Sequence, residues 1–177
     1  MRYFLMKKDE RYTDVPQFRD WFQQIDVRDI TPLRSHKLAY RTLLQIVPYE
    51  HNTYPDILFS PALLFSQKMR DIVALYEKRI TYKQIVLLDS ENMVTELYFM
   101  PILSIVDCLT EESEYNLDHS VVTKAVLDQA KIPGKSLFWL DNVKSKHTII
   151  RLDLAESILR RQVEGLVLID VELKRGG

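Results

Sequence analysis

The sequence predicts an α+β fold: a mixed or antiparallel sheet, two main helices and an irregular N-terminal extension. Three observations carry that expectation. Residues 60–99 read as an amphipathic helix followed by a two-stranded hairpin. Residues 148–173 repeat the first half of this unit, a helix and then an apolar strand. Most other apolar runs are short and rich in β-branched and aromatic residues, as strands are.

Ser60 and Pro61 carry a helix-start signal. Serine caps the free N–H groups of a first turn, and the fixed φ of proline suits the first helical position. Phe65, Met69, Ile72, Val73 and Tyr76 then share one face at helical spacing. Ser66, Gln67, Lys68, Arg70 and Asp71 take the other side, and Lys78 and Arg79 suit the negative end of the helix. Such a stripe packs on its own sheet far more often than on a partner.

Thr81–Asp89 (TYKQIVLLD) is short and rich in β-formers, and 89–92 is a polar turn. Residues 93–100 answer as the second strand. Met93, Thr95, Leu97 and Phe99 share one face; Val94, Glu96, Tyr98 and Met100 share the other. Pro101 has no N–H and is expected to interrupt the ladder. Residues 102–107 either resume as a strand or swing away.

At 177 residues the chain is one domain, or one with an extension. A chain of this length buries about 70% of its unfolded surface, so it folds without disulfide or metal. Net charge is −1. No basic stripe points to nucleic acid. Residues 1–90 carry 14 Lys+Arg against 11 Asp+Glu, and 91–177 carry 10 against 14. The apolar start of the chain is too short for a signal-peptide core, and no run is long enough to span a bilayer. The expected compartment is therefore the cytoplasm. Cys108, the only cysteine, sits among apolar neighbours and reads as a small buried hydrophobe.

Along the chain, 2–6 reads as a strand. Phe18, Trp21, Phe22 and Ile25 have helical spacing. They read as a cap tying the terminus to the sheet, or as an aromatic binding surface. Residues 38–47 suit a strand or a short helix equally. Residues 48–55 are a loop of turn formers, and 56–59 a brief apolar run. The chain thus divides into 1–55, an extension or subdomain, and 56–177, the α+β domain. Val121, Val122 and Thr123 tilt 121–129 toward strand. Residues 132–135 form a turn, and 137–140 and 147–152 a second hairpin across the polar turn 141–146. Asp153 and Glu156 have capping-box spacing before a helix with Ala155, Ile158 and Leu159 on its apolar side. Arg160 and Arg161 suit its end, and Gly165 suits a left-handed helix stop. Residues 166–173 close the fold, with Val167, Ile169, Val171 and Leu173 facing inward and 174–177 fraying.

Chemistry is sparse. Four glycines, two of them terminal, make no phosphate loop. His36, His51, His119 and His147 are isolated, without HExxH or CxxC spacing, so no metal or other cofactor is assigned. No serine sits in a nucleophile elbow, and Cys108 has no identifiable histidine partner. No catalytic residue is assigned, and the expectation is a non-enzyme. Asp107, Glu111, Glu112, Glu114 and Asp118 form an acidic run without a basic residue. They are the candidate partner-binding residues; the plainer reading is a solvated loop.

The run from Leu64 through Phe65, Ser66, Gln67, Lys68, Met69, Arg70, Asp71 to Ile72 resembles a helix of a bacterial family described as immunity protein eleven of polymorphic toxin systems, once a domain of unknown function. Leu97, Tyr98, Phe99 and Met100, followed by Ile105 to Leu109 with Asp107 and Cys108, are similar to another segment of it. So are Leu137, Phe138 and Trp139, and the ending from Glu164 through Gly165 to Val171. The match spans roughly residues 56–173. The chain lacks the family's serine-led helix start near Leu152 and Asp153, and Asp170 stands where the family has proline. The resemblance implies a cytoplasmic protein that binds a cognate protein toxin and blocks it by occlusion, with the acidic run facing a basic toxin. The alternative is a small-molecule enzyme or ligand-binding domain with a site assembled from distant residues.

Overall fold

The structure is a computed structural model, and it describes residues 1–132, 134–141 and 143–175. In chain order the elements are β1 (Tyr3–Lys8), α1 (Trp21–Gln24), β2 (Arg41–Gln45), β3 (Ile57–Leu58), β4 (Leu64–Phe65), α2 (Gln67–Ala74), β5 (Thr81–Asp89) and β6 (Val94–Ile102). Then come β7 (Ile105–Val106), β8 (Glu114–Tyr115), β9 (Val122–Lys124), β10 (Val126–Asp128), β11 (Leu137–Leu140), β12 (Thr148–Arg151), α3 (Leu152–Arg160), β13 (Leu166–Asp170) and β14 (Glu172–Lys174). The fold is α+β, rich in sheet and with few helices. Two compact units share the chain: residues 1–7, 103–161 and 167–177 form one, and 8–102 with 162–166 the other. Residues 8–55 therefore pack in the same unit as 56–102.

In the second unit the sheet runs β2-β5-β6-β4-β3. The hairpin of β5 and β6 is its spine, in register from Thr81 opposite Ile102 to Asp89 opposite Val94. Pro101 does not stop the ladder: it lies opposite Tyr82. On the other side of β6, β4 is in register only at Phe99, so no β4 residue stands opposite Pro101 to need its missing N–H. β2 runs parallel to β5, so the strand reading of 38–47 holds over Arg41–Gln45. Ile85 and Leu87 on β5 and Leu44 on β2 are fully buried on one face. On the other, α2 packs over β4 and β6 and sets Arg70 4.1 Å from the centre of the Phe99 ring.

The helix starts six residues later than the sequence suggests. Ser66, not Ser60, is the cap: its Oγ accepts from the Met69 N–H at 3.1 Å and donates to Asp56 Oδ1 at 2.7 Å. Leu64 and Phe65 pair with β3 and β6 instead, and that strand pairing wins over one more helical turn. The apolar stripe itself lies inward: Phe65, Met69 and Val73 are fully buried, and Ile72 nearly so. At the N-terminal side, Phe18, Trp21 and Ile25 form the cap. Phe18 bridges to Ile46 and meets the buried Trp21 edge-on at 5.1 Å, while Phe22 points outward. Asp20 and Gln24 occupy main-chain groups on the free edge of β2, Asp20 Oδ1 accepting from Gln45 N and Gln24 Nε2 donating to Leu43 O. This blunts an edge that would otherwise pair with another chain.

In the first unit the sheet order is β13-β1-β12-β11-β7. β11 and β12 form the second hairpin, β1 is antiparallel to β12, and β7 joins β11 in parallel. All four residues of β11 are buried, so the strand is covered on both faces. Tyr3, Leu5, Cys108, Leu127, Phe138 and Ile149 share one core cluster. α3 packs on β12 with Leu154, Ala155 and Ile158 inward; Leu159 is exposed, contrary to the sequence reading.

No capping box forms at α3. The helix begins at Leu152, and Asp153, already inside the first turn, holds the Arg151 guanidinium at 2.7 Å. Nor does Gly165 end the helix. Gln162 takes the left-handed conformation just past its end, and Gly165, at φ +99°, lies against Pro55 and Ile57. The closing strand also breaks. Leu166 is buried while Val167 and Ile169 face out, and the alternation resets at Val171, which is buried before β14. One residue of slip exchanges the faces. Of the expected turns and frayed end, Pro133, Asn142, Gly176 and Gly177 lie outside the described residues.

Candidate functional site

The acidic residues fall on a tethered segment. Cys108 O accepts from Asp128 N, Thr110 N donates to Val126 O, and the buried Ser113 hydroxyl bonds both main-chain atoms of Val126. Asp107, Glu111, Glu112, Glu114 and Asp118 are all exposed on it. They do not make an unbroken acidic face. Lys174 pairs with Glu112, and Lys124 stands opposite Glu114 across β8 and β9. Asp118 is held by the Ser120 hydroxyl and N–H, which keep its carboxyl below the usual range.

Histidines and the cysteine are scattered. His147 Nε2 accepts from Val122 N at 3.2 Å, and burial, helped by Lys7, holds its pKa below the usual value. Cys108 is fully buried, and desolvation pushes its thiol up to about 12. Among the described residues, no three His, Cys, Asp or Glu groups come together to hold a metal ion. No helix among them is long and apolar enough to cross a membrane.

A cleft of about 190 Å³ lies in the second unit, lined by Thr13, Asp14, Val15, Gln17, Val47, Pro48, Tyr49 and Asn52. Its two walls are the segments before α1 and after β2. Main-chain bonds fix them together: Val47 N donates to Gln17 O at 2.7 Å, and Thr53 N to Asp14 O at 2.6 Å. Asp89 props the far wall from below. Its buried carboxylate accepts from the Asn92 N–H, the Asn92 side chain and the Tyr49 N–H, and these bonds, Asn92 first, hold its pKa below the usual value. Tyr49 meets His51 edge-on at 5.4 Å, and His51 Nε2 lies 3.2 Å from Glu50. Asn52 Nδ2 is sealed from solvent without a hydrogen bond of normal geometry. The Tyr54 hydroxyl is the polar group beside it, and the amide partly offsets the rise that burial gives the Tyr54 pKa.

Nothing periodic in the sequence marks this cleft, because a loop of turn formers has no period to betray what it lines. The available signal is the density of hydrogen-bonding side chains between Pro48 and Pro55. Next to the cleft in sequence is a run of exposed apolar residues. Residues 22–49 hold seven of the sixteen large apolar side chains that stand exposed among the described residues. Phe22 is 77% exposed, Leu33 88%, Tyr40 68% and Leu43 54%. No family model matches the chain, and no curated protein matches it.

Proposed function

We propose that this chain is a protein-binding module that neutralises a cognate protein toxin by occlusion, the activity implied by the resemblance of residues 56–173. The observation that carries a binding role is the crowding of exposed apolar and aromatic side chains into residues 22–49. Scattered exposed apolar residues are ordinary; a contiguous patch marks an interaction surface, and the Gln24 side chain bonded to Leu43 O brings the α1 segment that carries Phe22 beside Leu43. Interfaces favour aromatic and arginine side chains, and Arg28, Arg34 and Arg41 lie within this same stretch. Occlusion needs a shaped face of on the order of 1,600 Å² in total and no catalytic group. The 190 Å³ cleft is itself smaller than the ~300–1,000 Å³ of sites for drug-sized ligands. The acidic segment enters as a secondary, steering contact with a basic toxin.

The test is co-expression with the C-terminal domains of secreted toxins encoded in the same genome. Growth rescue together with co-elution of a complex supports the proposal. Phe22→Ala combined with Leu43→Ala should then weaken that complex at least about tenfold while the melting temperature holds. Charge reversal of Glu111, Glu112 and Glu114 to Lys should slow its formation; unchanged association removes the acidic segment from the interface. Failure to rescue against every such domain overturns the proposal.

A further inference from the structure

We propose that His147 is an acid-sensitive latch on the segment 114–124: the neutral ring holds β9, and the protonated ring releases it. The latch works within this chain alone and does not depend on the reading above.

Main-chain geometry sets the first condition. Tyr115 and Val122 stand opposite each other across β8 and β9. The Asn116 N–H donates to Val121 O, so Tyr115 and Val122 are a pair without hydrogen bonds to each other. The Val122 N–H therefore points away from β8. It donates to His147 Nε2 at 3.2 Å. Val122 is fully buried in the core cluster that holds Phe138 and Ile149, so water does not replace that acceptor while the segment is closed.

Ring chemistry sets the second condition. A neutral imidazole has one acceptor nitrogen, and an imidazolium has none. With Nε2 accepting, the neutral ring carries its proton on Nδ1. A second proton sets two donors face to face, and the buried main-chain N–H loses its partner. The surroundings give the cation no relief. On β1, Lys7 follows Met6, which stands opposite Thr148, and its ammonium opposes a positive ring. β11 brings no charge. On the segment itself, Asp118 is engaged by Ser120, Lys124 pairs with Glu172, and His119 lies against the Tyr115 ring. Lys146, next in the chain, sits over the Trp139 ring. Among the described residues no carboxylate forms an ion pair with His147.

The closed segment thus binds this proton less well than the open one does. Burial and Lys7, in that order, hold the folded pKa under the ordinary 6.5, so the closed form is favoured above 6.5 and loses ground as pH falls below it. The bond from Ser145 N to Ser120 O contains no titrating group and keeps the opening local. Glu114 and Asp118 move with the released segment.

The test is amide exchange of the full chain from pH 7.5 to pH 5, each rate divided by the intrinsic rate at that pH. Val122 protection should fall at least about threefold, the equivalent of half a pKa unit. At pH 5 it should lie at least about tenfold under that of Phe138, the mark of segmental opening. His147→Gln offers an amide oxygen that accepts without titrating, and should make Val122 protection independent of pH. His119→Asn, at φ +55° where asparagine is tolerated, should leave the fall in place. In the unmutated protein, ring ¹⁵N shifts at pH 7.5 should put the proton on Nδ1. A ring proton on Nε2 overturns the latch. So does Val122 protection that holds across the range, falls equally in His147→Gln, or stops falling in His119→Asn. Protection equal to that of Phe138 at pH 5 overturns segmental release, because only global unfolding then frees the amide.

Discussion

Replacing Gly165 with alanine separates two costs that are usually entangled. Gly165 sits at φ +99°, and an added Cβ would lie 2.8 Å from the Ile57 carbonyl oxygen and 2.9 Å from Pro55 Cβ. Both neighbours belong to the backbone or to a rigid ring, so neither yields cheaply. Gly134 provides the control: its φ is +68°, but nothing lies within 4 Å of the added atom. Alanine at a left-handed position costs about 1–2 kcal/mol. Overpacking adds about 1–3 kcal/mol. Gly134→Ala should therefore cost about 1–2 kcal/mol and Gly165→Ala about 2–5 kcal/mol. For a chain of this size each kcal/mol moves the melting temperature by about 2–4 °C, so the shifts should be about 2–8 °C and about 4–20 °C. Thermal unfolding followed by circular dichroism reads both, and urea midpoints check them. Gly165 O also accepts from the Asp9 N–H at 3.1 Å, so amide exchange at Asp9 should accelerate only in the Gly165 variant. Equal melting shifts for the two variants would refute the steric reasoning.

Other consequences are as direct. Ile72→Asp places a carboxylate where α2 is nearly fully buried, and should abolish soluble protein; a normal melting curve contradicts the packing described for α2. Ser66→Ala removes the α2 cap and should cost about 1 kcal/mol, read as a lower urea midpoint at unchanged slope. Asp89 has its pKa lowered by Asn92 and Tyr49, so its contribution is present above the ordinary carboxylate value near 3.8 and lost as pH falls through the lower folded value. The melting temperature should drop on acidification below about pH 4, and Asp89→Asn should flatten part of that drop. Cys108 should resist iodoacetamide at pH 8 in the folded protein and react promptly in urea, because its thiol stays protonated and buried; equal rates contradict the burial.

Much of this molecule is legible in local sequence signals. The β5–β6 and β11–β12 hairpins follow from β-forming runs flanking polar turns, the apolar face of α2 from helical spacing and the burial of Cys108 from its apolar neighbours, signals that depend only on near neighbours in the chain. Helix starts were less legible. Ser60 and Ser66 carry the same capping chemistry, and only the pairing of Leu64 and Phe65 with distant strands selects between them. Gly165 is a similar case: local rules assign it to a helix end, whereas its contact with Pro55 and Ile57 explains why no side chain fits there.

By itself, then, the sequence determined the fold class, the two hairpins and the inward stripe of Met69, Ile72 and Val73 on α2. Tertiary structure decided the rest. It joined residues 8–55 to 56–102, flipped the alternation at Val171, set Lys174 and Lys124 among the acids of 111–114, and closed the walls of the cleft around Asp14 and Asn52. The reason is range: periodicity reports which side of an element is apolar, while a site is made by segments that meet only once the chain has folded.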